Sequence, residues 1–181
     1  SLHTINITTN LSTSIELFLE TANPQNVKIS PTFHPSFADL GVFMKKCLLL
    51  KESGFTGNVN YLAYPTQIKL IPYYKEKFRE AGLALSIMTF WGTYDNKEYP
   101  ASYTEQERQT IGTALGKRGD EPFQLSPKKM VKGRLCKAGH RYGVILADGT
   151  VIRCGGSGLN ERVGNFFDEN FSLFAQSAPC N

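Results

Sequence analysis

Cys136 and Cys154 flank a short segment containing Ala147-Asp148-Gly149, and Cys180 is the penultimate residue of the 181-residue chain. Thiolates are soft donors that suit zinc and iron–sulfur clusters. A hairpin carrying one cysteine on each flank, joined by a third from downstream, can therefore hold either. Three cysteines rarely close such a site, and the fourth ligand is left open among His140, a substrate and a cysteine beyond Asn181. With its last cysteine at the end, the chain reads as a piece of a longer protein. The plainer reading of Cys136 and Cys154 is a buried pair of small apolar side chains. Cys47 lies in the run Phe43-Met44-Lys45-Lys46-Cys47-Leu48-Leu49-Leu50 and is expected to pack in a core.

The elements that would position the cysteines are legible around them. Tyr142 to Leu146 and Thr150 to Arg153 read as short strands joined through an Asp-Gly turn, a strong hairpin signal. Gly149 supplies the positive φ such a turn needs. Residues 117 to 133 carry Gly119, Pro122 and Pro127 among charges and read as a linker. The basic residues Lys128, Lys129, Lys132, Arg134, Lys137 and Arg141 are expected to be a solvated hinge rather than a nucleic-acid surface, since no nucleic-acid fold signature accompanies them. Gly155-Gly156-Ser157-Gly158 lacks the strand, helix and lysine of a phosphate loop and reads as a flexible ligand loop.

Upstream, strand and helix patterns alternate. Strands are expected at 4–9, 27–32, 58–63 and 83–90, and helices at 13–21, 38–53, 67–80 and 104–115. Ser36 with Asp39 is expected to cap the second helix and Thr104 with Glu107 the fourth, while Gly54 and Gly82 stop the second and third. Such an order predicts parallel βα units. The strands alternate apolar with polar residues, as in Ile5 and Ile7 against Asn6 and Thr8, whereas parallel strands covered on both faces are usually apolar throughout. One face is thus expected to pack on helices and the other to line a wet cavity. Its functional edge would be the C-terminal strand ends, carrying Thr9, Asn10, His34, Tyr64 and Trp91. A two-layer fragment whose polar face sees only water is the plainer alternative. Half a barrel would also leave strand edges free to pair with a second copy unless residues 92 to 127 cover one.

Composition bounds the rest. The chain has 41% hydrophobic and 20% charged residues and a net charge of +4, values of a globular protein with no run long enough to span a bilayer. Four unevenly placed cysteines do not resemble a secreted disulfide framework; a cytoplasmic location is expected. The start at Ser1 has no signal-peptide pattern.

Cys136, twelve residues, Gly149, four residues, Cys154 and a gap to Cys180 resembles the opening of the SPASM domain that follows many radical SAM barrels, with Cys180 as the first member of a Cys-x-x-Cys pair. Lys137-Ala138-Gly139, Ala147-Asp148-Gly149-Thr150-Val151 and Val163-Gly164-Asn165 are similar to flanking pieces of that domain. Ile7-Thr8-Thr9-Asn10 looks like the third barrel strand, which often ends in Thr-Asn-Gly, with Leu11 in place of the Gly. The resemblance implies an α/β fold: a partial parallel (β/α) barrel of about four βα units over 1–116, a linker over 117–133 and a truncated SPASM-like module over 134–181. It implies a 4Fe-4S auxiliary cluster on Cys136, Cys154 and Cys180, with S-adenosylmethionine or substrate facing Asn10, Ser30 and His34, and radical modification of a peptide or protein by the intact parent. The chain has no Cys-x-x-x-Cys-x-x-Cys loop, so on this reading it is inactive by itself. The rival readings are a non-catalytic module that holds zinc and one that binds a peptide by strand addition.

Overall fold

The computed structural model describes residues 4–55, 58–116, 133–155 and 161–180. The chain divides into two compact units, Ser1–Leu125 and Ser126–Asn181, each treated by itself below. Residues 117–132 of the expected linker, three of the basic residues read as a hinge, and Gly156, Ser157 and Gly158 lie outside the described residues.

The first unit is mixed α/β. Strands β1 (Ile5–Thr9), β2 (Val27–Phe33), β3 (Val59–Ala63) and β4 (Leu85–Thr89) lie side by side in chain order and pair in parallel. Between them run α1 (Glu16–Thr21), α2 (Leu40–Glu52), and a 3-10 turn over Pro65–Leu70 that leads into α3 (Ile71–Glu80). The alternation read from the sequence has a physical counterpart. Ile29 and Phe33 of β2, Val59, Tyr61 and Ala63 of β3 and Ile87 of β4 are buried in the core, while Lys28 and Met88 are exposed. Apolar side chains at every second position bury one face because successive Cβ atoms point to opposite sides of a strand.

Helix α2 contributes Phe43, Cys47 and Leu50 to that core, spaced so that they share one side of the helix. Its cap differs from the expected one. The Asp39 carboxylate accepts from the Val42 amide at 2.8 Å, and the Ser36 hydroxyl instead accepts from the Gln67 side-chain amide at 2.7 Å. Asp39 is the last non-helical residue and so the one whose side chain reaches the open N–H groups of the first turn. Gly54 and Gly82 end α2 and α3 with φ of 85° and 70°, conformations that glycine adopts cheaply. Thr104 and Glu107 form a reciprocal capping box on α4 (Glu105–Ala114). Within the stretch expected to cover a sheet edge, Gly92–Tyr94 (β5) and Lys97–Tyr99 (β6) form a hairpin over Asp95 and Asn96, both at positive φ, a turn built as hairpins require.

The core holds three ionisable groups with no water to charge into: Cys47 at 4% exposure, Tyr61 at 0% and Tyr103 at 4%. Tyr103 donates to the Ala63 carbonyl at 2.6 Å and accepts from the Phe90 amide at 3.0 Å, while Tyr61 donates to the Gln67 carbonyl at 3.0 Å. Burial pushes the Cys47 thiol and the Tyr103 phenol each up to about 12, and raises Tyr61 as well. Each folded pKa lies above its unfolded value, so the folded state holds more protons on the alkaline side. The stability they contribute is complete below the unfolded values, ~8.5 for Cys and ~10 for Tyr, and is lost as pH rises toward the folded ones. Urea midpoints should therefore fall steadily between about pH 9 and pH 11, with a slope approaching ~1.4 kcal/mol per pH unit for each group titrating in the unfolded chain. A midpoint unchanged across that window would mean that these groups are not sealed from water.

The second unit is built from short antiparallel pieces. Strands β8 (Val144–Ile145), β9 (Thr150–Ile152) and β10 (Arg162–Asn165) form a sheet in the order β10-β9-β8, and β7 (Leu135–Cys136) pairs with β11 (Ala178–Pro179). The expected hairpin is present, shorter than anticipated, with Gly149 at φ 81°. Among the described residues no helix is long and apolar enough to cross a membrane.

Candidate functional site

Two places gather the candidate residues, one in each unit. In the first, the chain leaving β1 turns sharply. The Thr9 hydroxyl accepts from the Leu11 amide and the Asn10 side-chain carbonyl from the Ser12 amide, both at 3.1 Å, and Leu11 takes φ 54°. Lys46 of α2 donates to the carbonyls of Leu11 and Thr13 at 2.8 Å each, which ties this loop to the middle of the helix. Between the loop and α2 opens a cavity of about 510 Å³ lined by Asn10, Ser12, Thr32, His34, Asp39 and Lys46, with Leu11, Phe37, Val42 and Phe43 as apolar walls. A concave site with a few polar groups on an apolar lining is the usual form of a small-molecule site, and it lies at the C-terminal ends of β1 and β2.

Asn10 and His34 thus share one cavity, as strand-end residues should. Ser30 does not line it: its hydroxyl donates to Asn6 Oδ1 at 3.2 Å across the β1–β2 pair, on the polar face of the sheet. Of the other strand-end residues, Tyr64 stacks edge-on with Phe90 and Tyr94 at centroid distances of 4.9 and 5.1 Å, and Trp91 is exposed. Lys46 and Asp39 were not legible as site residues, since Lys46 sits within α2, where charge normally means solvent, and Asp39 was accounted for as a cap. For Asp39 the signal that could have found it is its place in the loop after β2.

In the second unit the cysteines are approached through Tyr142. The β8–β9 register pairs Val144 with Ile152, and extending it by two residues would set Tyr142 opposite Cys154. An isolated bridge joins Tyr142 to Ala138, two residues past Cys136. The Tyr142 phenol lies within electrostatic reach of both Cys136 and Cys154. The phenol is accordingly held above the usual tyrosine range, first by loss of solvent and then by Cys136 and Cys154, with Arg153 pulling the other way. The Ala138 amide points at Cys136 Sγ at 3.5 Å. Cys180 arrives on the other ladder, where Ala178 faces Cys136 and the Cys180 amide donates to the Arg134 carbonyl at 2.8 Å. In an antiparallel pair, residues two apart share a face and diagonal neighbours remain within side-chain reach, so Cys136 and Cys180 stand on the same side of the β7–β11 pair.

The donors are of the soft type that zinc and iron–sulfur clusters take, with Cys136 and Cys154 in electrostatic reach of one phenol and Cys180 on the adjoining ladder. Among the described residues no group of three or more His, Cys, Asp and Glu side chains is gathered closely enough to grip a metal ion. His140, weighed as a fourth ligand, places Nδ1 at 2.8 Å from the Phe174 carbonyl. Tyr142 itself carried no signal beyond its place in the hairpin. No protein-family model, curated protein or solved structure matches the chain.

Proposed function

We propose that the chain is part of a radical SAM protein with a SPASM domain, its first unit a piece of the barrel wall and its second a cysteine module that holds an iron–sulfur centre. The observation that carries the reading is the β7–β11 register, which sets Cys180 on the same face as Cys136, with Cys154 and Cys136 both in electrostatic reach of Tyr142. Leu11 adds to it: the residue standing where the family's third strand is followed by glycine adopts φ 54°, a backbone state that glycine meets at least cost. Four consecutive parallel strands with a polar face are what part of a (β/α) barrel presents to its interior.

On this reading Cys136, Cys154 and Cys180 are the cluster ligands, and Asn10 and His34 face S-adenosylmethionine or substrate from the strand-end cavity. An iron–sulfur centre supplies electron transfer or a Lewis-acidic iron. The chain's own contribution is to hold the thiolates together, to keep the Tyr142 phenol in electrostatic reach of Cys136 and Cys154, and to shape the cavity. The parent would act on a peptide or protein.

The test is anaerobic reconstitution of the reduced full chain with ferrous iron and sulfide. The expected product absorbs in the visible and carries iron and sulfide together, and Cys136→Ser or Cys154→Ser lowers iron retention at least ~10-fold, as loss of a ligand does. One equivalent of zinc without sulfide would favour the structural zinc module instead. If the wild-type chain retains neither metal, the reading fails.

A further inference from the structure

Among the described residues of the second unit one charged side chain is buried, Arg153, at 4% exposure. Removing a guanidinium from water costs several kcal/mol unless its donors find partners, and here each of its three nitrogens has one. Nε donates to the Ala138 carbonyl at 3.0 Å, Nη1 to Glu161 Oε2 at 3.0 Å, and Nη2 to the Ala178 carbonyl. These partners are not scattered. Ala138 lies two residues past Cys136; Ala178 faces Cys136 across the β7–β11 pair and lies two residues before Cys180; Arg153 itself precedes Cys154. One side chain therefore joins the backbones of all three cysteine-bearing segments.

From this arrangement we infer that Arg153 is the positioning residue of the cysteine site, holding the segments of Cys136, Cys154 and Cys180 in register whether or not a metal is bound. The inference deepens the metal-site reading and rests on it for its purpose, though not for its geometry. A buried charge is a poor device for stability alone, because an apolar replacement of equal volume often serves as well. What such a replacement lacks is the planar fork that donates in three directions at once. The surroundings are cut to admit that fork. Gly139 sits at φ 82°, and a Cβ there would stand 2.9 Å from Arg153 Cγ and 2.7 Å from the Phe174 ring, so its missing side chain is the room through which the arginine stem passes. The Arg153 amide also donates to the Glu161 carbonyl at 2.8 Å, so backbone and side chain of one residue both hold that segment.

The experiment reads sulfur proximity directly. The reduced full chain is treated with diamide under argon, and disulfides among Cys136, Cys154 and Cys180 are quantified by mass spectrometry. Each disulfide removes two electrons and two protons from a thiol pair, and diamide takes them up as the hydrazine. The wild-type chain is expected to form such disulfides quickly, Arg153→Met to form them at least ~10-fold more slowly, and Arg153→Lys to fall between, on the scale by which outer partners of a metal site act. Val151→Ala, which loosens the same unit by removing a side chain at 1% exposure without touching the guanidinium, should leave the rate near wild type. A general loss of folding would slow Val151→Ala as well. Equal rates for the wild type and Arg153→Met, or no disulfides in the wild type, would overturn the inference. Cobalt(II) titration of the same proteins separates the two ideas. Fast cross-linking lost in Arg153→Met, with no thiolate-to-cobalt absorption even in the wild type, would leave the positioning role standing and remove the metal.

Discussion

Phe33→Ala is expected to lower the unfolding free energy of the first unit by about 3–5 kcal/mol, the range for emptying a buried aromatic site. Phe33 is 1% exposed at the C-terminal end of β2. Its ring meets those of Phe43, Tyr74 and Phe78 at centroid distances of 5.1, 5.0 and 5.5 Å, and Phe43 and Phe78 also meet each other at 6.2 Å. Tilted and edge-on pairs at these distances add to simple area burial, so one truncation removes three ring contacts and leaves a cavity between a strand and two helices. Those helices are too well anchored to collapse inward. Asp39 caps one, and Lys51 in its last turn donates to the Gly82 carbonyl at 2.8 Å, just past the end of the other. Phe43 also lines the strand-end cavity, and the next residue after Phe33 is His34. The variant should therefore lose ligand affinity at that cavity as well as stability. Urea unfolding measured with Phe33→Leu as a control would check the first part, since leucine refills most of the volume. A loss below about 1 kcal/mol for the alanine variant would mean that the cluster repacks and that the core is looser than its ring geometry implies.

That core was legible because its signal is periodic. Ile29 and Phe33, Val59 and Tyr61, and Phe43, Cys47 and Leu50 repeat at the intervals that strands and helices impose, and all are buried. Element ends were read less well where local chemistry competes. Pro65 opens a 3-10 turn ahead of α3, since its fixed φ suits a first turn of either kind. The expected cap moved from Ser36 to Asp39 because Ser36 and Phe37 lie in a turn and Ala38 in a bend, so the helix opens three residues further on. The hairpin over Asp95 and Asn96 escaped because neither of its strands exceeds three residues. In the second unit the motif spacing located the cysteines but carried nothing about what joins them. Tyr142 and Arg153 look like ordinary surface residues in the chain, and only the bridge that joins Tyr142 to Ala138, and the fork that reaches Ala138 and Ala178, give them roles. Contacts across fifteen to twenty-five residues, as for Arg153, leave no local pattern.

Gly149→Val should disable the cysteine hairpin more completely than loss of any single sulfur. Gly149 holds φ at 81°, and a β-branched residue there is a genuine outlier whose backbone strain is of order 1–3 kcal/mol. Space is short as well: a Cβ at this position would lie 2.8 Å from Asn165 Oδ1 and against the Phe167 ring. Phe167 is exposed and can swing aside, but Asn165 cannot, because its Oδ1 accepts from the Phe167 amide at 2.9 Å and its backbone pairs with Thr150. The Gly149 amide donates to the Leu146 carbonyl at 3.0 Å, and its own carbonyl accepts from Phe166 at 2.8 Å. Relieving the strain therefore breaks the turn on one side and the tie to the next strand on the other. Once β8 and β9 part, Cys154 leaves the reach of Tyr142, and Arg153 leaves the carbonyls of Ala138 and Ala178. Hydrogen exchange of the Leu146 and Phe166 amides should accelerate together by at least ~10-fold, the change that ~1.4 kcal/mol of lost local stability produces. Iron or cobalt retention should fall in the same variant, and Gly149→Asn, which tolerates positive φ, should restore part of both. Protection of the two amides unchanged in the valine variant would show that the turn does not govern the hairpin, and that the cysteines owe their meeting to the β7–β11 pair and to Arg153 alone.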